Sequence, residues 1–376
     1  MKCLNKFGLM VITFIVLFIG CSGSKALLKK EYGDLKSFGA EEKYSIIMVP
    51  DTQQYFRAEK GPHIFQEKLN WIADHIDPLD VVFITHIGDV IEDGKGDINH
   101  KEWIDSVKFL KKLDEIAIEK NIPYSISLGD HDYNGFEKSV QGHSAFVKNY
   151  GKKRYQNYPW YGDSSNTETS HYQFFTANGR KFLHINLECD APRNTAFPEE
   201  EDQLQWAQKI IDIYPNIPTI ISTHAYITDE VVNGIFIGHE PEPEVKKEDR
   251  RKGEDRRGGL DIWEELVSRN DQIFMVLCGN YHEFNNRKGD TGEYHQVSKN
   301  KKGRDVVEIL ANYQDYPNGG NGWFRIVVFD ETNNSINVKT YSPFHREFRQ
   351  KHQGTPRSSD FKITFNFAER LKLSGQ

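Results

Sequence analysis

Asp51 with Gln53, Asp89 with Glu92, Asp130-His131-Asp132, His224 and His282 are the residues of this chain whose types and order point to chemistry. Each of these five groups comes directly after an apolar run suited to a buried strand, so one edge of a sheet would gather them all. Buried strand ends rarely need carboxylates for stability, because an unpaired charge there costs roughly several kcal/mol of desolvation. A metal ion offsets that cost. Carboxylate oxygens mixed with imidazole nitrogens suit Mn, Fe, Zn or Mg, and a central carboxylate such as Asp89 can bridge two ions about 3.5–4 Å apart. Any one of these residues reads equally well as a turn residue capping a helix. Five of them converging on one edge is what capping leaves unexplained.

The elements that would position them alternate along the chain. Apolar runs at 44–50, 81–87, 124–128, 182–187, 219–223 and 273–278 read as buried strands. Amphipathic stretches at 62–76, 100–120, 199–214 and 260–269 read as helices between them, and such alternation argues for a layered α/β architecture. After Gly303 the pattern becomes strand-rich, at 306–313, 323–329, 336–341 and 361–367, separated by Gly, Asn and Pro clusters. We read that part as a second sheet packed on the first, within the same fold. Residues 239–259 are densely charged with mixed signs and no apolar face, which reads as a solvated loop. No internal repeat stands out.

With 376 residues and 38% hydrophobic content, the chain can bury one large core. A net charge of −7 lacks the basic excess of a protein that tracks nucleic acid, so no nucleic-acid complex is expected, and no obligatory protein partner is evident. Lys2 and Lys6, an apolar run over 8–20 and small residues around Cys21 read as a secretion signal; the run is short of the roughly 20 residues of a membrane span. Phe18-Ile19-Gly20-Cys21 resembles a bacterial lipobox, so Cys21 is the expected lipidation site, anchoring an exported protein to a membrane in the periplasm or on the cell surface. The expected organisation is a signal peptide at 1–20, the lipidated Cys21 and a tether at 21–43, and one catalytic domain at 44–376. Cys189 and Cys278 then remain, as buried free thiols rather than a disulfide framework.

The ordered blocks Asp51-Thr52-Gln53, Gly88-Asp89, Gly129-Asp130-His131-Asp132, Thr223-His224 and Gly279-Asn280-Tyr281-His282 resemble those of the calcineurin-like metallophosphoesterases. The strings 49–53, 311–314, 319–325 and 340–343 resemble a bacterial, exported branch of that family. The resemblance implies a four-layer α/β/β/α sandwich, with two mixed β-sheets face to face, helices outside and metals at strand ends. It implies one divalent metal ion held by Asp51, Gln53, Asp89 and His282, and a second held by Asp89, Asp130, His224 and Asn280. His131 would stand beside the leaving-group oxygen, oriented and kept protonated by Glu92, with Asp93 the competing candidate; Asp132 is grouped with His131 and Glu92 as catalytic. The implied reaction is in-line hydrolysis of a phosphate mono- or diester by metal-activated hydroxide, with His131 protonating the departing alkoxide.

Tyr281, Arg287 and Asn312 are the expected substrate contacts, with Gln314, Asn318 and Trp323 in a Gly-rich stretch suited to reaching over the site. His86, His184 and His239 read as structural or exposed. The chain departs from the commonest family residues at Gln53 (for His), Asp130 (for Asn) and Asn280 (for His). The last two enrich the second site in oxygen donors, which favours Mn, Mg or Ca over Zn there. An alternative reading keeps the pocket and loses turnover: an envelope lipoprotein that binds phosphorylated glycans or nucleotides.

Overall fold

The computed structural model describes residues 43–94, 97–135, 139, 142–193, 200–282 and 292–371. The expected leader, Cys21, the tether and Arg287 lie outside the described residues.

Strands β1 (Lys43–Val49), β2 (Val81–His86) and β3 (Tyr124–Ile126) run parallel to one another and are linked through helices α1 (Gly61–Asp74) and α2 (Lys101–Lys120). Beyond the short α3 (Ser144–Tyr150), a second run begins with β4 (Tyr161–Ser164), β5 (His171–Ala177), β6 (Arg180–Asn186) and, after α4 (Gln203–Ile213), β7 (Thr219–Ser222). A hairpin, β8 (Ile227–Val232) and β9 (Ile235–His239), leads to α5 (Gly259–Glu265), β10 (Ile273–Cys278), β11 (Glu293–Lys299) and β12 (Asp305–Ala311). The chain closes with β13 (Phe324–Asp330), β14 (Ser335–Ser342), β15 (Glu347–Phe348) and β16 (Asp360–Thr364). One seven-stranded sheet has the order β15-β14-β13-β1-β2-β3, with β16 also on β14; the other has the order β11-β12-β10-β7-β6-β5-β4. Both mix parallel and antiparallel pairs.

The two sheets pack face to face because β1 is apolar on both sides. Tyr44, Ile46 and Met48 enter the core between the sheets, with Phe83, Phe182, Phe274, Ile309, Val327 and Val338. Ile47 and Val49 turn the other way and meet Ile64, Leu69 and Ile72 of α1 and Leu110, Leu113 and Ala117 of α2. On the far side, Leu204, Trp206 and Ile210 of α4 and Ile262 of α5 cover Leu183, Ile185, Ile221 and Val276. Four layers result, helix, sheet, sheet, helix, as expected.

Two expectations about organisation change. The strands after Gly303 do not make a sheet of their own: β12 lies beside β10 in the second sheet, whereas β13 pairs antiparallel with β1 in the first. Local patterning identifies a strand but not its neighbour, and here the neighbour is far away in sequence. The charged stretch 239–259 is not a solvated loop either, because several of its charges are buried and paired. Arg256 donates to the Tyr133 hydroxyl at 2.5 Å, the Cys189 carbonyl at 3.0 Å and Glu188 and Glu254, while Arg257 reaches Asp202, Glu265 and the Ala191 carbonyl. Mixed signs with no apolar face also describe an internal ion-pair network, which composition alone does not distinguish.

Candidate metal centre

Asp51, Asp89 and Asp130 stand just beyond the C-terminal ends of the parallel strands β1, β2 and β3, whereas His224, Asn280 and His282 stand beyond β7 and β10 of the other sheet. Two sheet edges, rather than the one expected, therefore meet at the site. The ligand atoms of Asp51, Asp89 and His224 lie within 4.8 Å of one another, and so do those of Asp89, Asp130 and His131. Asp89 belongs to both groups. His224 Nε2 is 3.1 Å from Asp89 Oδ1 and 3.0 Å from Asp130 Oδ1, while its Nδ1–H donates to the Ile87 carbonyl at 2.8 Å, which orients the ring. The backbone is shaped for this approach. Asp89 has φ +52°, and a Cβ on Gly129 would lie 2.1 Å from its Oδ1; a Cβ on Gly88 would lie 2.3 Å from His224 Nδ1.

The donor set suits divalent cations. Asp51 Oδ1 and Gln53 Oε1 are buried acceptors without a hydrogen-bond partner among the described residues, although Gln53 Nε2 donates to Asp89 Oδ2 at 2.6 Å. Unpartnered oxygens of this kind are costly unless a cation takes them. Burial pushes the Asp51 carboxyl well above its ordinary range, aided by the Asp89 charge and opposed by His224. Burial acts the same way on Asp89, but His224 and His131 overcome it and hold that carboxyl below the usual range. The His224 imidazole, despite burial, is held well above its ordinary value by Asp89, Asp130 and Asp51. A proton on its Nε2 takes the lone pair that a cation would use, so a bound cation must displace it.

His131 has its Nδ1 3.2 Å from the Glu92 carbonyl and 3.4 Å from Glu92 Oε2, with its Nε2 3.8 Å from Asp130 Oδ2. Against the effect of burial, Asp89, Asp130 and Glu92 raise it to about 10. Glu92 is itself held by Gln54 at 2.6 Å and Arg57 at 2.9 Å. Asp93 meets Glu102 through its backbone amide. Asp132, expected among the catalytic residues, instead spends its buried carboxylate on the backbone amides of Val90, Ile91 and Gly129, at 2.9–3.2 Å, and so ties the β2 loop to the β3 loop. His86 is structural, as expected: it is buried, lowered to about 3 by burial and by the Lys68 and His224 charges, and bonded to Thr52 Oγ1 at 2.9 Å.

The cavity over this cluster is lined by Asp89, Asp130, His131, Glu240, Glu244, Asn280, Tyr281, His282 and Gln314. Tyr281 and His282 therefore reach it, but His282 lies outside the two 4.8 Å groups. Its Nδ1 pairs with Asp315 Oδ2 at 2.7 Å and its Nε2 faces Gln314 Nε2. Asn280 has its backbone N–H on Asp51 Oδ2 at 3.2 Å and its side-chain Nδ2 on Glu244 Oε2 at 3.1 Å. Asn312, expected as a substrate contact, is 1% exposed and donates at 2.8 Å to Asp51 Oδ2 and at 2.8 Å to the Asn280 carbonyl. Sequence reasoning missed Glu240, Glu244 and Asp315. The Glu-Pro-Glu-Pro-Glu string carried no signal beyond its charge, whereas Asp315 adjoins a stretch already suspected.

A family model described as calcineurin-like phosphoesterase matches residues 44–279. YvnB of Bacillus subtilis (strain 168), an uncharacterized protein, is 27% identical over 334 residues, covering 89% of this chain; the chain spans only 22% of that relative's length. Among solved structures, GAP50, described as the anchor in the inner membrane complex of Plasmodium, is similar over 87% of this chain and 89% of its own, with a TM-score of 0.44 and 13% identity. A conserved Streptococcus pneumoniae protein described as a predicted phosphoesterase is similar over 86% of this chain and 100% of its own, with a TM-score of 0.29 and 10% identity.

Proposed function

Because the chain belongs to the calcineurin-like phosphoesterase family, we propose that it hydrolyses phosphate mono- or diesters with two divalent cations, outside the cytoplasm and tethered to a membrane through Cys21. The observation that carries the catalytic reading is Asp89, whose carboxylate is shared by two groups of ligand atoms, with His131 in one of them. Asp51, Gln53, Asp89 and His282 are assigned to one cation and Asp89, Asp130, His224 and Asn280 to the other. Such cations, when bound, neutralise phosphoryl oxygens and acidify water.

The protein's own groups do the rest. Asp89, buried and lining the cavity, and Asp51, buried beneath it, are the carboxylates nearest to where the phosphoryl group would bind. His131, with Nδ1 anchored on the Glu92 carbonyl and its ring among those lining the cavity, holds the proton that the leaving oxygen receives. Glu92, clamped by Gln54 and Arg57, keeps that ring from turning. Tyr281 supplies a wall on the substrate side.

The test is a panel of phosphate mono- and diesters assayed with Mn²⁺, Mg²⁺, Ca²⁺, Fe²⁺ and Zn²⁺. We expect metal-dependent turnover of at least one class, lost by more than about a hundredfold in Asp89→Asn. Tight binding of phosphorylated ligands with no turnover under any metal would establish the alternative, a binding protein. Export and anchoring are tested separately by fractionating cells and replacing Cys21 with Ser, which should release the protein from membranes.

A further inference from the structure

Resting on the two-cation reading above, we propose that Glu244 is a positioning residue that fixes Asn280 as an oxygen donor to the second cation. An amide has one donor end and one acceptor end, and only the oxygen can ligate a cation. An ionised carboxylate can only accept, so in that form Glu244, by taking Nδ2 of Asn280 at 3.1 Å, leaves Oδ1 as the end available to the ion.

The backbone of Asn280 is already held on both sides. Its backbone sits at φ +63°, its N–H is on Asp51 Oδ2 at 3.2 Å, and its carbonyl accepts from Asn312 Nδ2 at 2.8 Å. What remains is the choice of which end of the amide faces the site. Glu244 is itself held from behind: the backbone amides of Glu244 and Val245 donate to the two oxygens of the buried Asp190 at 3.0 and 2.8 Å, and Val245 is fully buried. The exposed carboxylate is thus carried on a fixed stretch of backbone. That contact gives the acidic segment a purpose its composition does not suggest.

The experiment is calorimetric titration of the chelator-treated full chain with Mn²⁺, read as the affinities of two binding steps. Glu244→Ala should weaken the weaker step by 10- to 100-fold and leave the tighter one within threefold. In an Asn280→Asp background, where both ends of the side chain are oxygens, the same Glu244→Ala change should cost less than threefold. An unchanged weaker step in Glu244→Ala overturns the proposal. So does an equal loss in both backgrounds, which would mean that Glu244 acts through its charge alone. A wild-type chain with no second step overturns the two-cation reading, and the proposal with it. Thermal unfolding of each variant, which should remain a single cooperative transition, separates these outcomes from misfolding.

Discussion

His131 is the residue whose assigned role makes the sharpest demand, because a proton donor matters only in proportion to how badly the leaving group needs the proton. With His131→Asn, hydrolysis of an alkyl ester should fall by about 10²–10⁴, while a nitrophenyl ester should fall less than about tenfold. Equal losses on both substrates would remove His131 from the proton-transfer step. The polar residues that converge here were legible because buried carboxylates and imidazoles have few reasons to follow strands. Asp132 and Asn312 were legible as polar and conspicuous but not in role. Asp132 spends its hydrogen bonds on the supporting loops and Asn312 donates to Asp51, and nothing in a one-dimensional string distinguishes a carboxylate that faces a cavity from one that faces three backbone amides.

At the scale of elements, the regular helices and central strands could be read within a few residues, since period and burial agree: 62–76 was expected where α1 runs Gly61–Asp74, and 273–278 where β10 runs Ile273–Cys278. The β8–β9 hairpin was missed although Asn233-Gly234 between apolar runs is its usual signal, with φ +53° and +82° at the turn. Helix α1 also hides an oddity. Lys68 is fully buried, its Nζ has no hydrogen-bond partner among the described residues, and it lies over the rings of Tyr55 at 4.6 Å and Phe65 at 5.0 Å. Burial lowers it from 10.5 to about 7, against a small upward pull from Asp51. A depressed folded value means that stability is fully present above pH 10.5 and is lost as pH falls through about 7. Lys68→Met should therefore raise Tm by about 3 °C or more at pH 6 and by less than half that at pH 10. A gain that is the same at both pH values would show that the ammonium is not the source of the cost.

Across the whole molecule, the site exists because two sheets present their strand ends at the same place. Each sheet by itself supplies only part of the proposed ligand set: Asp51, Gln53, Asp89 and Asp130 from one, His224, Asn280 and His282 from the other. A global consequence is that protons and cations compete. His224 is held well above its ordinary value, so cation binding should release a proton, and affinity for Mn²⁺ should fall as pH is lowered from 8 to 6. Calorimetry in two buffers of different ionisation enthalpy checks this; identical heats in both would refute it.

The pairing of β1 with β13 brings Lys43 opposite Asp330. At about 5–20 residues per second, the strand that ends at Val49 waits roughly 15–60 s after synthesis for the neighbour it pairs with, β13. A chain synthesised as far as His282, the last of the proposed ligands, therefore still lacks the strand that pairs with the one leading into Asp51.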